Sequence, residues 1–165
     1  MEYSQIETQL GPVVIYFTRD QIKRITLGQE SDDLLLSRAS PAECLPWPDL
    51  ETELANYFRG MPIVNKYPVC LEEYSDWTRR VLLIASAIPY GEVCSYKQVA
   101  ANAGSPGGAR AAGQALSRNR TPLLIPCHRV VGQKRNLVGF GSGLTWKKGL
   151  LELERGTKDA LFNRG

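Results

Sequence analysis

Between Ser95 and Arg118 the sequence describes two short helices with almost nothing between them, and that pairing limits the fold more than any other stretch. Ser95-Tyr96-Lys97-Gln98 has the form of a capping box, in which a hydroxyl and an amide three residues apart satisfy orphan backbone N–H groups. The helix it opens runs through Val99 and Ala103 and stops at Gly104. Ser105-Pro106-Gly107-Gly108 makes a tight connection, and a second helix follows from Ala109 to near Arg118. Two short helices joined this way form a helix-turn-helix candidate, although bundles that bind nothing also contain the pattern. The second helix narrows the choice. Ala109, Ala111, Ala112, Gly113 and Ala115 leave it small on most sides, with Arg110 the one long side chain among them. Such a helix approaches another surface closely but reaches poorly into a wide major groove. It fits the minor groove, with Arg110 as a probe or wedge.

Charge supports a polyanionic partner. The chain carries only +3 overall, but Met1 to Glu92 holds fourteen acids against eight bases. From Val93 to Leu151 there is no acid at all, while Lys97, Arg110, Arg118, Arg120, Arg129, Lys134, Arg135, Lys147 and Lys148 are all basic. A solvated basic face is the plain alternative; nucleic acid is the leading partner.

The rest of the chain frames this segment. Tyr3 to Gln9, a Gly11-Pro12 turn, Val13 to Phe17 and Ile22 to Leu27 read as strands. A helix opens at Pro48-Asp49 with Leu50, Leu54, Tyr57 and Phe58 on one face and stops at Gly60, and a strand is expected from Ile63 to Val69. Ser75 caps a helix reaching about Ile88. After Asn119-Arg120-Thr121-Pro122 an apolar run enters Pro126-Cys127-His128-Arg129-Val130, and beyond the glycine-rich Gly139-Phe140-Gly141-Ser142-Gly143, Thr145 caps a last helix that carries Glu154.

Cys127 and the chain's single histidine, His128, are adjacent. Cysteine is a strong nucleophile only as thiolate, and imidazole is suited to take its proton near neutral pH. In an extended segment the two side chains point apart, so a bridging water or a sharp turn has to join them. Two buried side chains without chemistry are the bland reading. Cys44, Cys70, Cys94 and Cys127 include no Cys-x-x-Cys, which argues against a disulfide framework and a zinc ribbon, and one histidine rules out a His-rich metal site. No apolar stretch approaches the roughly 20 residues of a membrane span, and the start lacks a signal-peptide pattern. The sequence points to a cytoplasmic protein that needs no metal and no cofactor.

Pro126-Cys127-His128-Arg129-Val130, with Tyr96 and Arg110 upstream and Glu154 downstream, closely resembles the alkylguanine-DNA alkyltransferases, also called methylated-DNA-protein-cysteine methyltransferases. The resemblance is strong from about Ser75 to Glu154 and covers the first 70 residues only in general layout. It implies direct, irreversible transfer of an alkyl group from the guanine O6 in double-stranded DNA to Cys127, once per molecule, after the nucleotide is flipped out through the minor groove. His128 would accept the thiol proton through a water, Glu154 would hold the imidazole, and Asn119 would tie down the turn before the cysteine. Tyr96 would push on the target phosphate and donate to the leaving guanine. Ala109, Arg110, Gly113, Arg118 and Arg129 would meet DNA; Phe140, Gly141, Ser142 and the backbone of Val130 would form the base pocket. Phe140 stands where relatives often have Tyr, and Gly141 where some have Ser, which removes a hydroxyl contact. Some relatives hold a structural zinc in the N-terminal domain; this chain has no histidine there.

The expected fold is therefore α/β of the α+β kind. A small N-terminal mixed α/β domain spans 1–72, a C-terminal helix-turn-helix (winged-helix-like) domain spans 73–156, and a loose tail spans 157–165. The protein is expected to be a monomer in solution, with clustering on DNA left open. Three rivals compete: a non-catalytic sensor of alkylated DNA, a helix-turn-helix transcription regulator with a redox cysteine, and a cysteine hydrolase. The first lacks a reactive cysteine, the second wants larger base-reading side chains, and the third leaves the acid-free half unexplained.

Overall fold

A computed structural model describes residues 1–28, 33–133 and 143–162. Three strands, β1 (Glu2–Thr8), β2 (Gly11–Phe17) and β3 (Ile22–Leu27), form an antiparallel meander, and a two-residue β4 (Ser40–Pro41) pairs parallel with β1. The order is β3-β2-β1-β4. The first turn is Gln9-Leu10 rather than the expected Gly11-Pro12, since Thr8 pairs with Gly11 and the strand resumes there. Central β2 is buried from Val13 through Phe17, on both of its faces. A short helix α1 (Asp33–Arg38) precedes β4, and α2 (Pro48–Tyr57) covers the sheet with Leu50, Leu54 and Tyr57 inward.

The strand expected over 63–69 does not form. Val69 makes only an isolated bridge to Ile22, and Pro68 O accepts from Ile22 N at 2.8 Å. On the same edge of β3, Ile25 N donates to Arg120 O at 2.7 Å, so this edge is tied to the connection that leads to Cys127.

The second half is helical. Ser75 caps α3 (Asp76–Ser86) by accepting from Thr78 N, and Ser95 caps α4 (Tyr96–Asn102) by accepting from Gln98 N, as the sequence predicts. The connection to α5 (Ala109–Ser117) places the two helices of the motif against each other and against α3. Val81, Leu82, Ala85, Val99, Ala100, Ala112, Ala115 and Leu116 form their shared core, and Cys127 and Val130 close it. A two-residue β5 (Cys94–Ser95) pairs parallel with β6 (Val130–Val131). The last helix, α6 (Leu144–Phe162), runs through Gly156 into the region expected to be a loose tail.

The two halves share apolar material. Leu123, Trp146 and Leu150 pack into the core of the N-terminal sheet, so α6 is fixed by the first half and displays its other face to the second. Trp146 lies over the β1–β2 turn and the end of β3. Gly28 sits there at φ +85°, and a Cβ on it would come within 2.8 Å of the indole nitrogen. Gly28→Ala should lower the unfolding free energy by about 1–3 kcal/mol, through backbone strain and displacement of Trp146. Urea unfolding would test this; an unchanged midpoint would show that α6 is not seated by this contact.

Candidate active site

Local geometry answers the adjacency problem. Cys127–Arg129 is not extended but one turn of 3-10 helix, placed between Pro126 and β6, with Val130 N donating back to Cys127 O. Consecutive side chains of such a turn diverge by about a third of a circle, so Cys127 and His128 enter different surroundings. Leu123 holds a left-handed backbone (φ 74°) just upstream, and its burial in the N-terminal core stabilises that conformation.

Asn119 organises the approach. Its amide nitrogen donates to Ile125 O at 2.9 Å and to Cys127 Sγ at 3.1 Å, and its oxygen accepts from Thr121 N at 3.1 Å. The sequence reading gave it backbone contacts; the donation to sulfur is additional. Burial pushes the Cys127 thiol up. Asn119, the positive charge of Lys147 and the backbone N–H groups of Cys127 and His128 pull it back. Thiolate is thus supported by specific donors and opposed by desolvation.

His128 is fully buried, and its Nε2 lies 3.1 Å from Glu154 Oε1. Burial lowers the imidazole pKa against the pull of that carboxylate, which keeps the ring neutral at pH 7. Glu154 is itself buried. Desolvation works to raise its pKa, but the bonds from His128 and Arg129 overcome it and hold the carboxyl at about 2. A carboxylate only accepts, so Nε2 carries the proton and Nδ1 is the acceptor nitrogen. Nδ1 is buried and has no hydrogen-bond partner among the described residues. It is the atom able to receive a proton.

Arg129 departs from its expected place on the DNA face. Its Nε reaches both Glu154 oxygens at 3.0 and 3.1 Å, one terminal nitrogen reaches Oε1 at 2.6 Å, and the other donates to Ile88 O at 2.7 Å. The guanidinium also stacks over Tyr90. A buried carboxylate needs a counter-charge, and Arg129 supplies it.

Two residues escaped the sequence reading. Lys147 is fully buried, donates to the Tyr96 hydroxyl at 3.2 Å and stands over the Tyr96 ring. Burial pulls its pKa down to about 8, while the charge of Cys127 acts the other way. Burial and then the negative charge of Cys127 push the Tyr96 phenol up, so it stays protonated. Tyr57, from α2, donates to Glu154 Oε1 at 3.0 Å. The spacing of Lys147 and Glu154, two helical turns apart, was the available signal for a shared face.

The outer face of α5 is formed by Arg110, Ala111, Gln114, Ser117 and Arg118, with Ala109 half-buried at its start. Gly113 packs its backbone near the Tyr96 ring, where a Cβ would find contacts of 3.7 Å. Of the bases in the acid-free stretch, Arg129 and Lys147 point inward, Arg120 pairs with Glu73, and Lys97, Arg110 and Arg118 are exposed. The N–H of Val130 is committed to Cys127 O. Phe140, Gly141 and Ser142 lie outside the described residues. No group of three or more potential metal ligands occurs among the described residues, and among them no helix is long and apolar enough to cross a membrane.

Comparison with known proteins converges on one activity. Residues 76–156 match the family described as 6-O-methylguanine DNA methyltransferase, DNA binding domain. The chain is 36% identical over 157 residues to the constitutive methylated-DNA–protein-cysteine methyltransferase of Bacillus subtilis, covering 93% of this chain and 94% of that protein. It is 47% identical over 106 residues to the Mycobacterium leprae methylated-DNA–protein-cysteine methyltransferase, covering 63% and 62%. The crystal structure of Mycobacterium tuberculosis OGT in complex with DNA superposes with a TM-score of 0.85 at 30% identity, covering 95% of this chain and 94% of that one.

The electrostatics of Glu154 give a stability test. Its folded pKa is depressed, so its contribution is complete above about pH 5 and is lost as pH falls toward 2, on the order of 3 kcal/mol. His128, held neutral, adds a loss that begins below its ordinary value of 6.5. Glu154→Gln should cost about 3–5 kcal/mol at pH 7 by leaving Arg129 unpaired, and should flatten the pH dependence between pH 5 and 3. Parallel wild-type and variant curves over that range would contradict the assignment.

Proposed function

The chain belongs to the methylated-DNA–protein-cysteine methyltransferase family, and from that premise we propose how its own residues carry alkyl transfer from O6-alkylated guanine in duplex DNA to Cys127. The observation that supports the reading most is the pairing of two arrangements around one sulfur. Asn119 and the cation of Lys147 favour thiolate, and a neutral His128 fixed by Glu154 offers Nδ1 as a proton acceptor. The cysteine proton passes to His128 through a water. The sulfur then attacks the alkyl carbon, the S–C bond forms as the C–O6 bond breaks, and the electron pair leaves on the guanine. A thioether is not reversed by cellular thiols, so each molecule reacts once.

Tyr96 and Lys147 act on the leaving base. A phenol whose oxygen accepts from an ammonium is a stronger donor, and Tyr96 stays protonated; it is therefore the group that meets the negative charge developing on guanine. The target carbon is out of reach inside a duplex, so the nucleotide is extruded at a cost of a few kcal/mol. The exposed Arg110 on the small-faced α5 fills the vacated stack, with Ala109, Gly113 and Arg118 along the groove. Phe140, Gly141, Ser142 and the carbonyl side of Val130 complete the base pocket in this reading. An acceptor of alkyl groups from DNA works where DNA is, in keeping with the cytoplasmic setting expected from the sequence. The sensor and regulator readings leave the arrangement around Cys127 without a purpose.

Transfer from duplex DNA bearing O6-methylguanine should vanish in Cys127→Ser while DNA binding persists. Arg110→Ala should slow transfer by roughly tenfold at limiting protein, since it removes what offsets extrusion. Lys147→Met should slow transfer by about a hundredfold while leaving unfolding stability unchanged or higher, because a buried cation is exchanged for an apolar chain of similar size. Wild-type transfer rates in Lys147→Met would remove it from the reaction.

A further inference from the structure

The N-terminal half contributes more than a platform. Tyr57 ends α2 and is 1% exposed, its ring held edge-on by Phe58 at 5.3 Å and by Tyr90 at 6.0 Å between centroids. We propose that Tyr57 is a positioning residue of the alkyl-transfer site: its hydroxyl, 3.0 Å from Glu154 Oε1 and 3.4 Å from His128 Nε2, fixes the imidazole tautomer that leaves Nδ1 as the proton acceptor. The inference rests on the His128–Glu154 relay of the proposed function and deepens it.

Proton counting fixes the direction of each bond. A phenol has one proton, and Glu154, a carboxylate, can only accept; the Tyr57 proton is therefore committed to Oε1. The phenol oxygen then presents only lone pairs to Nε2. With the proton on Nε2, the imidazole donates into two acceptors, Oε1 and the phenol oxygen. With the proton on Nδ1 instead, the Nε2 lone pair would face both of them. Tyr57 thus adds to the penalty on the unproductive tautomer. Its burial and the charge of Glu154 keep it un-ionised, so it holds this role across the working pH range.

The hydroxyl also draws charge from Glu154. Without it, the carboxylate would bind Nε2–H more strongly and favour imidazolium, which cannot take the thiol proton. The other charged groups acting on the ring remain in place, Glu154 and Lys147 from α6 and Arg129 from the 3-10 turn, while Tyr90 packs on Tyr57 and Arg129.

Tyr57→Phe removes only the oxygen and keeps the ring packing. His128 is the chain's one histidine, so ¹⁵N NMR of labelled imidazole reads its tautomer and titration without assignment. The wild type should show the neutral Nε2–H form at pH 7. In Tyr57→Phe the His128 titration and the acid limb of the transfer-rate profile should both move upward by about half a pH unit or more, with DNA affinity unchanged. Superimposable titrations and profiles would overturn the proposal, even if stability fell. Should Tyr57→Phe fail to fold, the wild type decides: a through-space contact between the Tyr57 hydroxyl proton and the Nε2-bound proton supports the proposal, and an Nδ1–H tautomer overturns it. If wild-type protein gains no alkyl group on Cys127, the functional reading fails instead, whatever His128 does.

Discussion

A single buried carboxylate holds the catalytic half together. Glu154 receives Arg129, His128 and Tyr57, which come from the 3-10 turn and from α2. Leaving such a charge unpaired would cost several kcal/mol, so the position of each partner is set by that requirement. Two further elements bring the carboxylate to its place. Trp146 and Leu150 seat α6 in the core of the N-terminal sheet, and the edge of β3 binds the connection at Arg120. A defect in the sheet would therefore reach the cysteine through α6, with no DNA-facing residue disturbed.

The acid-free stretch has two purposes that composition alone does not separate. Lys97, Arg110 and Arg118 present positive charge outward on the helix-turn-helix side, suited to phosphate. Arg129 and Lys147 turn inward, one to neutralise Glu154 and the other to stand near Cys127 and Tyr96. In the free protein burial keeps His128 uncharged against the pull of Glu154, while the cysteine lies between desolvation and its donors. In the proposed reaction, a base delivered next to that sulfur meets a nucleophile whose proton has a destination on His128.

The parts of this arrangement legible in the sequence are those with local grammar. Ser75 and Ser95 cap where hydroxyls precede helices, the Gly-containing connection brings α4 against α5, and Cys127-His128 singles out the segment that Asn119 and Glu154 meet. What failed was tertiary in origin. Segment 63–69 has strand-like composition but only one bridge, because β3 is joined there by a single point of contact. Arg129 reads as a surface base until its carboxylate partner, 25 residues away, is placed. Lys147 reads only as one more base of the acid-free stretch, since nothing local places it beside Tyr96. Tyr57 falls on the apolar stripe of α2 and reads as core, which it is; nothing local tells that its hydroxyl meets Glu154 from a segment 97 residues distant. At Cys127-His128 the sequence leaves a bridging water or a sharp turn open, and the return of Val130 N to Cys127 O shows that the backbone turns.

The central claim is that Cys127 alone accepts the alkyl group and does so once. Incubating the protein with excess duplex carrying O6-methylguanine, then measuring intact and peptide mass, tests it directly. The account predicts a gain of one methyl group per molecule, located on the peptide containing Cys127, with Cys44, Cys70 and Cys94 unmodified. Repaired guanine in excess of protein with an unchanged protein mass, or a methyl group on any other cysteine, would contradict it.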